Sequence, residues 1–267
     1  MKRRRAVVAG IARFGYGARG VVYLTVGYLI ANAALEVEEA EDVREALHAI
    51  NNQAYGSYLL LGLATGLVAY ALWRLVQSLL DVDGHGHGLR ALILRAALVV
   101  SALLYVSTAY ACIRIAMNLA SSGGSTTQQM ISRLLGWPAG RWLVGAMAVV
   151  VFITGIVHIR KGLIGGFRKW FDASAGAMRI IDPISRVGLV ARGLVFVAIA
   201  GLVLYSALTL DASDAGGLKA VLLWAQQRVY GRILLGGIGV GLLAFGAYSL
   251  LEAFVRRVGL DDNERPR

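Results

Sequence analysis

Residues 11–20 read IARFGYGARG, and residues 184–193 read ISRVGLVARG. The two words share Ile, Arg, Gly, Ala, Arg and Gly at the same six of ten positions, and each leads into a long apolar run. Self-similarity sets the architecture of a chain, so it precedes any local assignment. Aligning Arg13 with Arg186 fixes an offset of 173 residues. Further along, the offset becomes 175: Tyr55-Gly56 meets Tyr230-Gly231, Leu59 meets Leu234, Leu60 meets Leu235, Gly62 meets Gly237 and Gly66 meets Gly241. A consistent run of matches, broken only by a two-residue loop difference, is stronger than the opening word alone.

A middle copy fits less closely. An offset of 82 from the first copy puts Arg95 on Arg13, Tyr105 on Tyr23 and Tyr110 on Tyr28, and an offset of 84 puts Gly140 on Gly56 and Leu143 on Leu59. This copy departs at two places: Ala97 replaces the first Gly of the word and Ser101 replaces its second Arg.

The apolar content explains what repeats. The 267 residues are 57% hydrophobic and 16% charged, with a mean hydropathy of +0.63, whereas a soluble domain carries about 25% charged residues. Six runs reach the roughly 20 residues that cross a bilayer as a helix: about 21–35 with 16–20 leading in, 56–80, 96–120, 142–159, 189–210 and 233–255. After each odd-numbered run comes a shorter amphipathic segment. In the first, Val43, Ala46, Leu47 and Ile50 fall at helical i, i+3, i+4, i+7 spacing. The second is SSGGSTTQQMISRLLGWPAG and the third GLKAVLLWAQQRVYG. The sequence therefore predicts an all-α membrane protein of three parallel units, each a span, an amphipathic surface helix and a span. The units cover 11–80, 93–162 and 184–257. Two spans per unit is an even number, so all three units share one orientation and are related by an axis along the membrane normal. A pseudo-three-fold bundle is the natural closed form.

Orientation follows from Lys and Arg. Of the 27, twenty fall on the side of the N-terminal leader, the 2–3 and 4–5 connections and the tail. Six fall on the other side, and Arg114 lies within the third run. This asymmetry predicts cytoplasmic N- and C-termini in a cell (inner) membrane. It also gives the net charge of +11 a topological reading in place of a nucleic-acid one. The basic start is read as a retained cytoplasmic leader, because its first apolar run is short and interrupted by Arg13. The long basic connection after the fourth run, which holds Trp170 and Phe171, is read as a loop. The single cysteine, Cys112, permits no intramolecular disulfide.

The thrice-repeated unit, with R-x-G-x-x-A-R-G before an apolar run and Tyr-Gly opening the next span, resembles the bacterial membrane-protein family known as domain of unknown function 1206. In that family two-span units typically occur three times in a chain. The resemblance covers about residues 11–257 and brings no activity and no catalytic residues with it.

Candidate functional residues come from matched positions. Arg13, Arg95 and Arg186 stand at the entrance of each unit, with Arg19 and Arg192 six residues further on. Guanidinium groups there either bind lipid phosphate or another anion or snorkel to the headgroups and fix topology. In the second spans Arg74, His158 and Ser249 match, as do Gln77, Lys161 and Glu252. Ionisable residues within spans are functional candidates by default. Glu252 is expected either on an ion path or in a structural pair with Arg74 or Lys161. Asn32, Arg114 and Tyr205 match near the outer side, where Arg114 either lines an axial path or snorkels outward. The loop DVDGHGHG, 81–88, offers Asp and His to a divalent metal but is read as a flexible solvated loop. No Ser-His-Asp, Cys-His or HExxH constellation and no cofactor motif stands out, so the expectation is no enzyme and no cofactor. Two functions remain: small-solute or ion permeation along the pseudo-three-fold axis, or lipid binding and scaffolding without transport. Membrane lipids with anionic headgroups are the expected partners.

Overall fold

The computed structural model describes residues 2–36, 47–48, 50–79, 88–119, 126–213 and 217–256. Eight α-helices occupy them: α1 (Lys2–Glu36), α2 (Gly56–Leu79), α3 (Leu89–Ala116), α4 (Thr126–Leu135), α5 (Gly140–Ile164), α6 (Ala175–Thr209), α7 (Leu218–Gln226) and α8 (Gly231–Val255). Six are long and apolar enough to cross a membrane: α1, α2, α3, α5, α6 and α8. The protein is thus a multi-pass membrane protein, all-helical over the described residues. α4 and α7 are the short surface helices of the second and third units. Most of the corresponding segment of the first unit, and residues 81–87 of the DVDGHGHG stretch, lie outside the described residues. Leu47 is described and is buried in the main core.

The three units begin their second spans with the same turn. The amides of Gly56, Gly140 and Gly231 donate to the carbonyls of Gln53, Trp137 and Arg228, at 2.8, 2.9 and 2.8 Å. Glycine is required there because the last carbonyls of the surface helix lie where a Cβ would stand; at Gly231 the Gln226 oxygen would be 2.7 Å away.

The units close into a ring. Each second span packs most extensively on the first span of the next unit: α2 on α3, α5 on α6, and α8 back on α1. Within units one and three the two spans also pack well, α1 on α2 and α6 on α8. Within unit two, α3 and α5 barely touch, and they are the least buried of the six spans. Arginine fastens two of the seams. Arg95 donates to the carbonyls of Ser78 and Leu79 at the end of α2, and the matched Arg186 donates to the carbonyl of Leu163 at the end of α5. Both therefore satisfy helix C-terminal carbonyls that have no intrahelical partner. Glycine brings the seams close. A Cβ on Gly193 would lie 2.7 Å from the Gly155 carbonyl oxygen, and one on Gly20 would lie 3.1 Å from that of Gly246.

Two boundaries differ from the sequence reading. α1 begins at Lys2 rather than near residue 16, so the basic leader is helical. The 175–188 stretch is helix rather than loop: the Ser174 side chain accepts from the Ala177 amide and caps α6, and Pro183 sits inside the helix. The remaining connection is a strap. α5 ends at Gly165, in the left-handed region at φ 74°, and a 3-10 turn covers Arg168–Trp170. Phe167 and Phe171 are buried beside Tyr248, and the Asp172 amide donates to the Val255 carbonyl at 2.8 Å. Arg168, outside the spans, bonds Asp182, and this raises its already high pKa.

Candidate functional site

The matched arginines form two layers. Arg13 is exposed, while Arg95 and Arg186 hold the helix ends described above. Arg19 and Arg192 lie six residues deeper, about 9 Å along the helix, and are only 2% and 5% exposed. The inner pair is thus enclosed by protein instead of standing at the bilayer surface.

Arg19 is fully engaged. It donates to Ser249 at 3.0 Å, to the Tyr70 hydroxyl, and to Glu252 at 2.5 Å. Its guanidinium stacks on Tyr16, Tyr70 and Phe245 at 4.8–5.1 Å from the ring centroids. Glu252 also accepts from Arg256, one turn further on. Glu252 thus pairs directly with Arg19 across the seam between units three and one, a partner the sequence reading did not name. Arg74 instead donates to the Tyr70 hydroxyl and to Gln77. His158 bonds the Thr154 carbonyl at 2.8 Å and packs on Phe196. Arg114 turns outward to the Leu119 carbonyl and Tyr205 is exposed, so the outer matched layer does not converge.

What converges lies one layer further in. Tyr70 packs on Tyr105 at 4.7 Å and Tyr23 on Phe245 at 4.9 Å. The Arg192 guanidinium lies 4.3–4.8 Å from the ring centroids of Tyr23, Phe196 and Phe245 and donates to the Tyr105 hydroxyl at 3.1 Å. Tyr23, Tyr105 and Phe196 occupy matched repeat positions, and so do Tyr70, Thr154 and Phe245. Matched residues from three units that touch one another must surround the pseudo-axis. Its centre is therefore two arginines stacked among aromatic rings. The Tyr23–Tyr105 match was visible in the sequence, but the aromatic stacking around it was not.

The middle unit breaks the pattern, and it leaves a cavity. In units one and three a glycine lets the two spans touch: a Cβ on Gly15 would lie 2.6 Å from the Tyr70 Cα, and one on Gly188 would lie 2.5 Å from the Phe245 nitrogen. A second glycine, Gly66 or Gly241, packs on Ala18 or Ala191. Unit two has Ala97, Val100 and Val150 at the positions of Gly15, Ala18 and Gly66, and the added side chains hold α3 and α5 apart. The resulting cavity measures about 140 Å³ and is lined by those three residues together with Ser101, Thr154 and Arg192, among others. Arg192 brings two donors, Nε and Nη1, that are buried and make no hydrogen bond among the described residues.

Three copies of one two-span unit, joined head to tail through arginine and glycine seams, coincide with a known family. The family described as Domain of Unknown Function (DUF1206) matches residues 14–81, 96–165 and 187–256. The chain belongs to this family. Each of the three DUF1206 matches begins one residue after an entrance arginine, Arg13, Arg95 or Arg186, and only the second lacks the inner arginine. The chain is also similar to Uncharacterized protein YxxB of Bacillus subtilis (strain 168), with 30% identity over 249 residues, 92% of this chain and 90% of the relative. No solved structure matches it.

Proposed function

We propose that this protein is a lipid-interacting membrane protein that recognises its ligand from the side, and that it does not pass solutes along its pseudo-three-fold axis. The observation that carries this reading is the content of the axis. Arg19, Arg192, Tyr70, Tyr105 and Phe245 meet there at stacking distances. An ion path needs water to follow the ion, and guanidinium groups clamped between rings occupy that space and repel cations. In this reading the arginine-rich ends face the cytoplasm of a cell membrane, the side favoured by the Lys and Arg asymmetry. They then adjoin a leaflet whose anionic lipids attract basic segments.

The test is flux in proteoliposomes. Wild-type protein is expected to leave the leak of small ions and neutral solutes at the protein-free level. Adding anionic lipid is expected to raise its melting temperature in detergent more than zwitterionic lipid does, as binding to the folded state requires. Solute flux above the protein-free level that disappears on Arg19→Leu would overturn the reading.

A further inference from the structure

We propose that the cavity between α3 and α5 binds the oxyanion headgroup, phosphate or carboxylate, of a single membrane amphiphile on the free donors of Arg192. The proposal rests on the lipid-interacting reading above and gives it a site and a ligand class.

Charge gives the sign of the ligand. Arg192 is 5% exposed, and no carboxylate pairs with it among the described residues. Glu252, the buried carboxylate of this region, is already held by Arg19 and Arg256. A guanidinium enclosed in low dielectric without a counter-ion is costly, and an oxyanion on its remaining N–H groups offsets that cost. Rings stabilise the faces of the guanidinium, but they leave its in-plane donors unsatisfied. Among the described residues, two of the four buried side-chain polar atoms without a hydrogen-bond partner belong to Arg192. The Ser101 hydroxyl lines the same cavity. The matched residue in unit one is Arg19, whose donors are taken by Tyr70, Ser249 and Glu252. Exchanging arginine for serine at 101 removes a cation and opens room beside the one that remains.

Position gives the ligand its tail. The cavity lies between two membrane-crossing helices, so its mouth faces the bilayer. Leu104 on its wall is 53% exposed on that surface. Ala97, Val100 and Val150 make the rest of the approach apolar. Thr108 and Thr154 donate to carbonyls of their own helices, so the hydroxyl wall toward the tail is self-satisfied. The oxyanion therefore sits at Arg192, and the hydrocarbon leaves sideways along Leu104. A volume of about 140 Å³ accommodates the charged group of one molecule and none of its chain.

The experiment is native mass spectrometry of the full-length, delipidated protein in a neutral detergent. The probes are dioleoylphosphatidylglycerol, palmitate, dioleoylphosphatidylcholine and inorganic phosphate. We expect one phosphatidylglycerol or one palmitate to bind, phosphatidylcholine to bind more weakly, and inorganic phosphate alone not to bind. Arg192→Met is expected to weaken the anionic amphiphile by about tenfold or more. Ser101→Leu, which fills the cavity but keeps the arginine and its rings, is expected to do the same with the melting temperature retained. Arg114→Met is expected to leave binding unchanged. Equal binding of phosphatidylglycerol by wild type and both cavity variants would overturn the site while leaving the lipid-interacting reading standing. Absence of any anionic-lipid binding, together with solute flux, would overturn both. Binding of inorganic phosphate without either amphiphile, lost in both variants, would overturn the amphiphile and leave a free-anion site.

Discussion

The Arg19 guanidinium donates to the Glu252 carboxylate, and through it the first span is tied to the last. The bond closes the ring of three units at the one seam that joins residues far apart in the chain. Arg95 and Arg186 fasten the other two seams through helix-end carbonyls. The closing seam thus carries the buried ion pair, reinforced by Ser249 and Tyr70 on the same guanidinium.

Removing one partner of a buried pair typically costs about 3–5 kcal/mol. Glu252→Ala takes the carboxylate from two buried guanidinium groups at once, Arg19 and Arg256, whereas Arg256→Ala leaves Glu252 its pair with Arg19. Thermal melting in detergent should rank Glu252→Ala well below Arg256→Ala. Equal melting temperatures for Glu252→Ala and wild type would remove the closing role from this pair.

Glycines of the same chain should divide sharply. Gly15→Ala and Gly188→Ala press a methyl into the backbone of the partner span and should each cost about 1–3 kcal/mol. Gly62→Ala and Gly145→Ala meet nothing within 4 Å and should stay within about 0.5 kcal/mol of wild type. A chemical-denaturation series of the four variants checks the ranking.

The outer arginines should behave as helix caps. Arg95→Ala and Arg186→Ala should destabilise by roughly 1 kcal/mol per lost carbonyl bond, with Arg95→Ala the larger because it loses two such bonds, whereas Arg186→Ala loses one together with a part-exposed pair to Asp182 worth about 0.3–0.5 kcal/mol. Neither should change the stabilisation given by anionic lipid. A loss of that lipid effect in both variants would return the headgroup site to the entrance layer.

Phe171→Ala tests the strap. Phe171 is buried against Tyr248 and Phe167, so its truncation should cost about 3–5 kcal/mol. Limited proteolysis should then open the 165–174 stretch first. An unchanged cleavage pattern would show that the strap does not depend on the Phe171 ring and is held by Phe167, the Arg168–Asp182 bond and the backbone bond to Val255.

A reporter fused to the C-terminus checks the orientation: it is expected to read cytoplasmic, and an external signal would reverse the whole assignment.

Much of this was legible before any coordinates. A span must hide its backbone polar groups and present apolar side chains, so six runs of sufficient length determined six helices. The recurrence of IARFGYGARG as ISRVGLVARG determined that they come in repeated units, and Ala97 with Ser101 marked the middle unit as the exception. The 175–188 helix was missed because its charges and Pro183 mimic a loop, while a single Ser174 cap and packing around Ile181 sustain it.

The sequence by itself could not decide which arginine meets which partner. The same guanidinium can snorkel, cap a helix or pair with a carboxylate, and the choice depends on what the neighbouring span brings within reach. Only the tertiary structure separated Arg19, satisfied by Glu252, from Arg192, left with two open donors. The middle copy's Ala97 and Ser101 were visible as substitutions. That they amount to a cavity followed only once α3 and α5 were held apart, because packing, and not local propensity, sets the distance between two helices in a membrane.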